Sequence, residues 1–535
     1  MAGVTLPAGL RGTSIIGGVH TNGASSTFIK KSPLDLSPLG EIKCATAAQV
    51  NSAIVLANDA FITDTVIKPA NRFQRAEMLE CVAKHLEGRK EELRATYHLE
   101  SALPITAPEG QSSRFDIEFA RTVNQLRFHA NRLRLHTHFV PVIDRTSGYD
   151  IRKSMRGIGI IGLWGAINFP LAFSTAGGDF ADAWASGCPV VMKAHAEHPF
   201  TSVIVGECIA AAMEELNIHR GWFSLIHGGR EIGQQIMADR RIAAGALTGS
   251  LGAAKALKAI ADSRGVPFYA ECGSLNPVFV FPKFLAANAK PFATEYANSV
   301  CMGHGQFCTS PGLCIVAKGP GYDEFATALA TAINARPAGT MLSERTRNDF
   351  LAAVDELRAV PGMSVLAGGE PVEHATQSKP VILTISGDDF ARSSVVPSLE
   401  AFGHCSVVVQ VEDQSRFLGV AQALAGNLTA TRYGTDEELS SEDGLQLQRL
   451  LQLKAGRIIR GQMPTGVAVC AAMNHGGPFP ACTINASSVG GSHRFMVEVC
   501  YQNELEDVLP RELRNSDPDR TMRLLNGHHT NSFVG

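Results

Sequence analysis

From residue 157 to residue 271 the chain alternates between short apolar runs and helical patterns, and this alternation restricts the fold more than any other feature. Residues 157–164 (G-I-G-I-I-G-L-W), 189–193 (P-V-V-M-K), 222–226, 243–247 and 267–271 read as buried strands. Residues 171–186, 200–215, 231–238 and 251–263 read as the helices between them. Parallel strands need a long crossover, so the rhythm predicts an α/β fold with a doubly wound parallel sheet. Sheets of this kind take ligands in the crevice at the carboxyl ends of their strands. Asn168, Lys193, Gly228, Ser250 and Glu271 all fall at or just after such an end.

At 535 residues the chain exceeds one core, so two or three domains are expected. Its 45% hydrophobic and 19% charged residues describe a soluble globular protein, not a disordered one. A net charge of -3 gives no general attraction to nucleic acid or to an anionic membrane. No run of about 18 residues is continuously apolar, so no membrane span is expected. Arg11 precedes only a weak apolar run, so no signal peptide is expected either. The twelve cysteines form no C-x-x-C pair and no zinc-like spacing. They read as reduced thiols of a cytoplasmic protein, and no metal site is expected.

The first 40 residues, rich in glycine, serine and threonine, suggest an irregular arm with a short strand pair. Residues 46–99 are helical in pattern. Residues 115–135 read as an amphipathic helix, with Ile117, Ala120, Val123, Leu126 and Ala130 on one side and Arg121, Gln125 and Arg127 on the other. Residues 141–156 read as a polar β-ribbon. A second α/β unit starts near 277, and the polar tail from 516 reads as a loosely ordered extension.

Residues 302–313 (M-G-H-G-Q-F-C-T-S-P-G-L) set Cys308 among glycines and small residues. A thiolate is a strong nucleophile when it is reachable, and glycine lets a ligand approach the backbone. A lone cysteine is more often a small buried hydrophobe. Neighbouring Cys301 and Cys314 sit beside Val300 and Leu313 and read as packing thiols. Asn168 could equally form a turn. Glu271 could be a solvated edge charge, Lys193 a surface lysine and Ser250 an ordinary helix cap.

Taken together, N-F-P at 168–170, K-A-H at 193–195, T-G-S at 248–250, E-C-G-S-L-N-P at 271–277, G-Q-F-C at 305–308 and E-A-F-G at 400–403 resemble the aldehyde dehydrogenase superfamily. The resemblance covers about residues 30 to 515. It implies a Rossmann-type cofactor domain (1–140 and 157–276), an α/β catalytic domain (277–495), a β-ribbon oligomerisation arm (141–156 and 496–515) and a flexible tail (516–535). It also implies a homodimer or tetramer. By the same resemblance, Cys308 attacks the aldehyde, Asn168 and the Cys308 N–H hold the oxyanion, and Glu271 is the base that hydrolyses the thioester. Lys193, Gly228, Ser250, Glu400 and Phe402 would hold a nicotinamide dinucleotide. Members preferring NAD often carry an acid where this chain has Ala196, and Arg230 could pair with a 2′-phosphate. NADP is therefore expected, with NAD as a second cofactor, although Glu197 is adjacent.

Further segments resemble the branch of 2-oxoglutarate semialdehyde (2,5-dioxopentanoate) dehydrogenases: N-F-P-L-A-F-S-T-A-G-G-D at 168–179, N-H-G-G-P-F-P-A at 474–481 and V-C-Y-Q-N at 499–503. An NADP-linked fatty aldehyde dehydrogenase resembles the same branch. Arg121 and Gln125 would face the tunnel and meet a substrate carboxylate, or else the polar side of this helix is solvated or forms salt bridges with Asp116 and Glu118. The chain departs from the family at His404, at R-G-Q-M (460–463) and at V-E-V (497–499). A CoA-acylating enzyme has no use for Glu271, and a non-catalytic cofactor-binding scaffold has no use for the full residue set.

Overall fold

The computed structural model describes residues 5–67, 70–107, 110–484 and 493–534. Part of the stretch expected to close the catalytic unit, 485–492, lies outside the described residues.

The alternation in 157–271 folds into a seven-stranded sheet. Its order is Phe268–Glu271, Ile242–Thr248, Ile160–Trp164, Val190–Lys193, Phe223–Ile226, then the short strands Ile15–Ile16 and Val19–His20. The first five are mutually parallel. Every residue of Ile160–Trp164 and Phe223–Ile226 is buried, because helices cover both faces. The chain runs outward from Ile160–Trp164 in one direction, then returns to its other side with Ile242–Thr248. The crevice therefore opens between these two strands. Residues 170–177 are turns, and the helix expected from 171 begins only at Gly178–Ala185.

A second sheet carries the other half of the molecule. Its order is Ser364–Gly368, Val381–Ser386, Cys405–Val411, Leu313–Ala317, Val278–Val280, Asn427–Tyr433 and Ala455–Arg460. Only Ser364–Gly368 runs antiparallel.

The helix Ala47–Phe61 continues through a π-helical turn, Ile62–Ile67. Within Ala47–Ile67 an 18-residue stretch has a mean hydropathy of 1.2, enough by length and composition to cross a membrane. Its apolar face (Val50, Ala53, Ile54, Ala57) packs into the core beneath the first sheet, while Asn51, Ser52, Asn58 and Asp59 face outward.

Two expectations are corrected. The helix Arg114–Leu135 buries Phe115, Glu118, Phe119, Thr122, Val123, Gln125 and Leu126, whereas Ile117 is 57% exposed and Ala120 is also exposed. The inward face was misphased because polar Glu118 and Gln125 point inward, where backbone groups of the turn at 171–172 bind them. The tail is not loose. Arg523–Leu525 pairs in parallel with Val142–Asp144 and turns back as His528–Thr530, so the arm is a five-stranded sheet with Ile151–Gly157 and Met496–Gln502. Arg523 is 1% exposed, and its guanidinium donates to the Arg514 and Ser532 carbonyls. Buried ordering of this kind leaves no trace in a polar composition.

Candidate active site

Three chain segments meet at the carboxyl end of the first sheet. Glu271 is the last residue of its strand, and segment 481–483 pairs onto that strand end through Cys272 N–H to Ala481 O (2.7 Å) and Thr483 N–H to Ala270 O (3.0 Å). This pairing brings the preceding loop, with His475, over Glu271. Cys308 follows a short 3-10 turn, Met302–Gly305. Gly305 has φ +69°, and a Cβ there would stand 2.2 Å from the Gly403 carbonyl, so only glycine fits. Asn276, fully buried, donates its amide to the carbonyls of Cys308 (2.8 Å) and Ser310 (3.0 Å) and fixes the loop from below.

His475 is a residue the sequence reading missed. It is 2% exposed, its Nε2 lies 3.5 Å from Cys308 Sγ and 2.8 Å from Glu271 Oε1, and its ring leans on Phe173. Nε2 and Oε1 are in close contact without an aligned hydrogen bond. Burial pushes the Cys308 thiol well above the ordinary range, Glu271 and Glu400 add to the shift, and Arg121 opposes it. A thiol held protonated in this way needs a nearby proton acceptor before it can attack a carbonyl. The only sequence signal for His475 was its place in N-H-G-G-P-F-P-A, a loop without periodicity.

Asn168, 6% exposed, donates its side-chain amide to Gln306 O (3.0 Å), two residues before the nucleophile. Arg114 holds the same turn. Its Nη2 donates to Asn168 O (2.9 Å), it stacks over Phe169 and Phe307, and it pairs with Glu118 at 3.0 Å. Glu118 also accepts the N–H groups of Leu171 and Ala172 and the Tyr97 hydroxyl.

Arg121 stands within electrostatic reach of Cys308 and Glu271. It stacks on Phe173 and donates Nη1 to Val467 O, and its Nη2 is buried with no hydrogen-bond partner among the described residues. Phe169, Phe173, Phe307, Val467, Val469 and Met473 form the apolar wall beside it. The expectation for Gln125 is corrected. Its amide donates to Ala172 O (2.9 Å) and accepts from Arg121 Nε (3.3 Å), so this side chain, 1% exposed, braces Arg121. Arg127 pairs with Glu87 and Glu80 on the opposite side. Asp116 pairs with Arg94 and Lys90, so the alternative salt bridge from Arg121 does not form.

The other predicted residues line the crevice rim. Lys193 ends its strand and, like exposed Arg230, makes no ion pair among the described residues. Burial lowers the Lys193 pKa. Gly228 passes so close to Ile232 that a Cβ would stand 2.4 Å away. Ser250 caps Leu251–Arg264 by accepting the Ala253 N–H (3.3 Å). Glu400 lies against Gly273, where a Cβ would come within 1.7 Å of its carboxylate, and burial pushes its pKa up to about 8. Phe402 lines the same crevice as Glu400. Glu197 is held by Lys30 at 2.8 Å. His404 is 1% exposed and bonds Ser378 Oγ through Nε2 (2.8 Å), so this departure from the family is a packing feature.

The model of the aldehyde dehydrogenase family matches residues 20–477. The alpha-ketoglutaric semialdehyde dehydrogenase 2 of Azospirillum brasilense is 36% identical, over 97% of this chain and 99% of that protein. The alpha-ketoglutaric semialdehyde dehydrogenase of Acinetobacter baylyi is 34% identical, over 96% and 98%. Among solved structures, an indole-3-acetaldehyde dehydrogenase of P. syringae in complex with NAD+ superposes with a TM-score of 0.78 at 19% identity, over 93% of this chain and 97% of that one. The chain belongs to the aldehyde dehydrogenase family, and it is an aldehyde oxidoreductase that uses a nicotinamide cofactor.

Proposed function

From this family membership, we propose that the chain oxidises 2-oxoglutarate semialdehyde (2,5-dioxopentanoate) to 2-oxoglutarate with NADP as the preferred acceptor and NAD as a second one. The observation that carries the substrate is Arg121 Nη2, a buried donor without a hydrogen-bond partner among the described residues, on the apolar wall beside Cys308. A carboxylate distal to the reacting carbon would satisfy it with a charge-assisted bond. An alkyl chain would leave it dry and unpaired at a cost of about 1–3 kcal/mol. The two relatives named for this substrate point the same way.

His475 Nε2 takes the Cys308 thiol proton, and the adjacent Glu271 carboxylate stabilises the imidazolium. Sγ then attacks the aldehyde carbon and forms a thiohemiacetal. The oxyanion is met by the Asn168 amide, which turns from Gln306 O, and by the Cys308 N–H. A dinucleotide held at the rim would supply the hydride acceptor there, and Cys308 would hold the resulting acyl group as a thioester. Glu271 then takes a proton from the attacking water, and the thiolate departs as the acid forms.

The rim fits a dinucleotide. Ser250 and the N–H groups behind it suit a pyrophosphate. Glu400, in its side-chain-free cradle at Gly273, makes no ion pair among the described residues and suits ribose hydroxyls. Lys30 occupies Glu197, whereas Glu231, next to Arg230, keeps an exposed carboxylate that acts on Lys193, so the preference for NADP rests on Ala196 and the Arg230 guanidinium.

The apolar wall of Phe169, Phe173 and Phe307 favours a second reading, a fatty aldehyde dehydrogenase. The test is the initial rate of NADP reduction with 2,5-dioxopentanoate beside a long-chain aldehyde at equal concentration. A higher rate with the dioxo acid is expected; a higher rate with the long chain overturns the substrate and leaves the thiol chemistry in place.

A further inference from the structure

Cys308, His475 and Glu271 bring three different kinds of metal ligand to one point. Sγ and Nε2 are 3.5 Å apart, Nε2 and Oε1 are 2.8 Å apart, and the three side chains offer ligand atoms that all lie within 4.8 Å of one another. Thiolate, imidazole and carboxylate bind zinc at about 2.3, 2.0–2.1 and 2.0–2.2 Å, so tetrahedral partners stand about 3.3–3.6 Å apart. The sulfur–nitrogen separation already matches. The nitrogen–oxygen contact has to open by about half an ångström.

We infer that these three side chains form an inhibitory site for a thiophilic divalent cation, with Zn2+ as the best chemical match. The inference rests on reading Cys308 as the nucleophile. Binding forms a sulfur–zinc bond and releases the thiol proton to solvent, with no change of oxidation state. The metal takes the sulfur lone pair that would attack an aldehyde and the carboxylate that would activate water. Three protein ligands with a fourth position open mark an exchangeable zinc site and not a closed structural one. The thiolate and the Glu271 carboxylate offset the two charges of the cation. Arg121, which acts on both, opposes binding and keeps it reversible. A second trio, Cys81, His85 and Glu215, lies between two helices. There the Lys84 ammonium, 2.9 Å from Glu215, competes for the carboxylate, and this trio serves as the control.

The test uses the full-length protein with Zn2+ and no aldehyde. Alkylation of Cys308 by iodoacetamide is followed by peptide mass, with and without the metal for each variant. Zn2+ is expected to slow alkylation at least about tenfold, and a chelator to restore it. With Co2+ in its place, a thiolate-to-metal charge-transfer band is expected. Cys81→Ser should keep the protection, and His475→Ala should need at least about tenfold more Zn2+ to reach it. Absence of protection, equal protection in His475→Ala, or its loss in Cys81→Ser overturns the site. Aldehyde turnover is scored separately. Turnover without zinc protection sinks the metal site alone, and protection without turnover on any aldehyde sinks the reaction alone.

Discussion

Oε1 of Glu271 stands 2.8 Å from Nε2 of His475, and that same nitrogen stands 3.5 Å from the Cys308 sulfur. One imidazole thus links the nucleophile to the carboxylate. The arrangement resolves a conflict, because burial and two carboxylates hold the thiol protonated at the pH where it has to react.

Replacing His475 by Gln removes the proton acceptor and keeps the packing against Phe173. Alkylation of Cys308 near neutral pH is expected to slow by about 10- to 100-fold. Because the thiol titrates above its ordinary range, the variant's rate should climb with pH and approach the parent's in alkali. An unchanged rate at neutral pH would remove His475 from thiol activation.

Glu271→Gln separates the two halves of the reaction. Thioester formation loses only the carboxylate beside the His475 imidazolium, whereas hydrolysis loses its base. A burst of reduced cofactor is expected, followed by turnover slowed about 100- to 1,000-fold, with an acyl group on Cys308 visible by mass. A variant with no burst and no acyl-enzyme would place Glu271 before the thioester.

Arg121→Met keeps the stem over Phe173 and deletes the charge. KM for 2,5-dioxopentanoate should rise about 10- to 100-fold, as loss of a charge-assisted bond predicts. The rate with a long-chain aldehyde should hold or improve. Equal losses on both substrates would make Arg121 a prop for Val467 alone.

The molecule should lose stability as pH falls below the histidine range. Burial depresses His136 and His198 to about 4, His227 and His404 to about 3 and His138 to about 2. Between the unfolded value of about 6.5 and these folded values the unfolded chain binds more protons. The stabilisation from keeping these rings neutral is therefore present above about 6.5 and is lost as pH falls. Glu100, Asp182 and Glu400, raised to about 7, 6 and 8, act in the opposite direction, but they are fewer than the five histidines. Tm should fall from pH 7 to pH 5, and His404→Asn should flatten that slope. A Tm that rises over this interval would contradict the balance.

The sheet was legible because its strands are buried on both faces and read as unbroken apolar runs, as at Ile160–Trp164. The same runs put Asn168, Lys193 and Glu271 at or just after strand ends, but only the family motifs around them gave them roles. Two things were not legible. His475 sits in a loop whose position is set by the pairing of Cys272 with Ala481, a contact between distant segments with no local pattern. Gln125 and Arg127 share a helix with Arg121, but only the partners at Ala172 and Glu87 decide which of the three faces the centre.

Glu118 provides the last test, of how the oxyanion donor is held. It is fully buried, pairs with Arg114 and accepts from Leu171, Ala172 and Tyr97, and Arg114 in turn holds the Asn168 carbonyl. Neither residue meets the reacting atoms; both act through the position of Asn168. Glu118→Gln keeps the shape but removes the charge that balances Arg114, which costs stability because the guanidinium remains largely buried. If the network only supports the fold, Tm falls and kcat at a temperature well below Tm does not. If it positions Asn168, kcat falls about tenfold or more there, a part of the loss seen when an oxyanion donor is deleted outright. Alkylation of Cys308, which needs no oxyanion donor, should keep its rate in either case. A matching loss in alkylation would mean that the substitution disturbs the nucleophile loop instead.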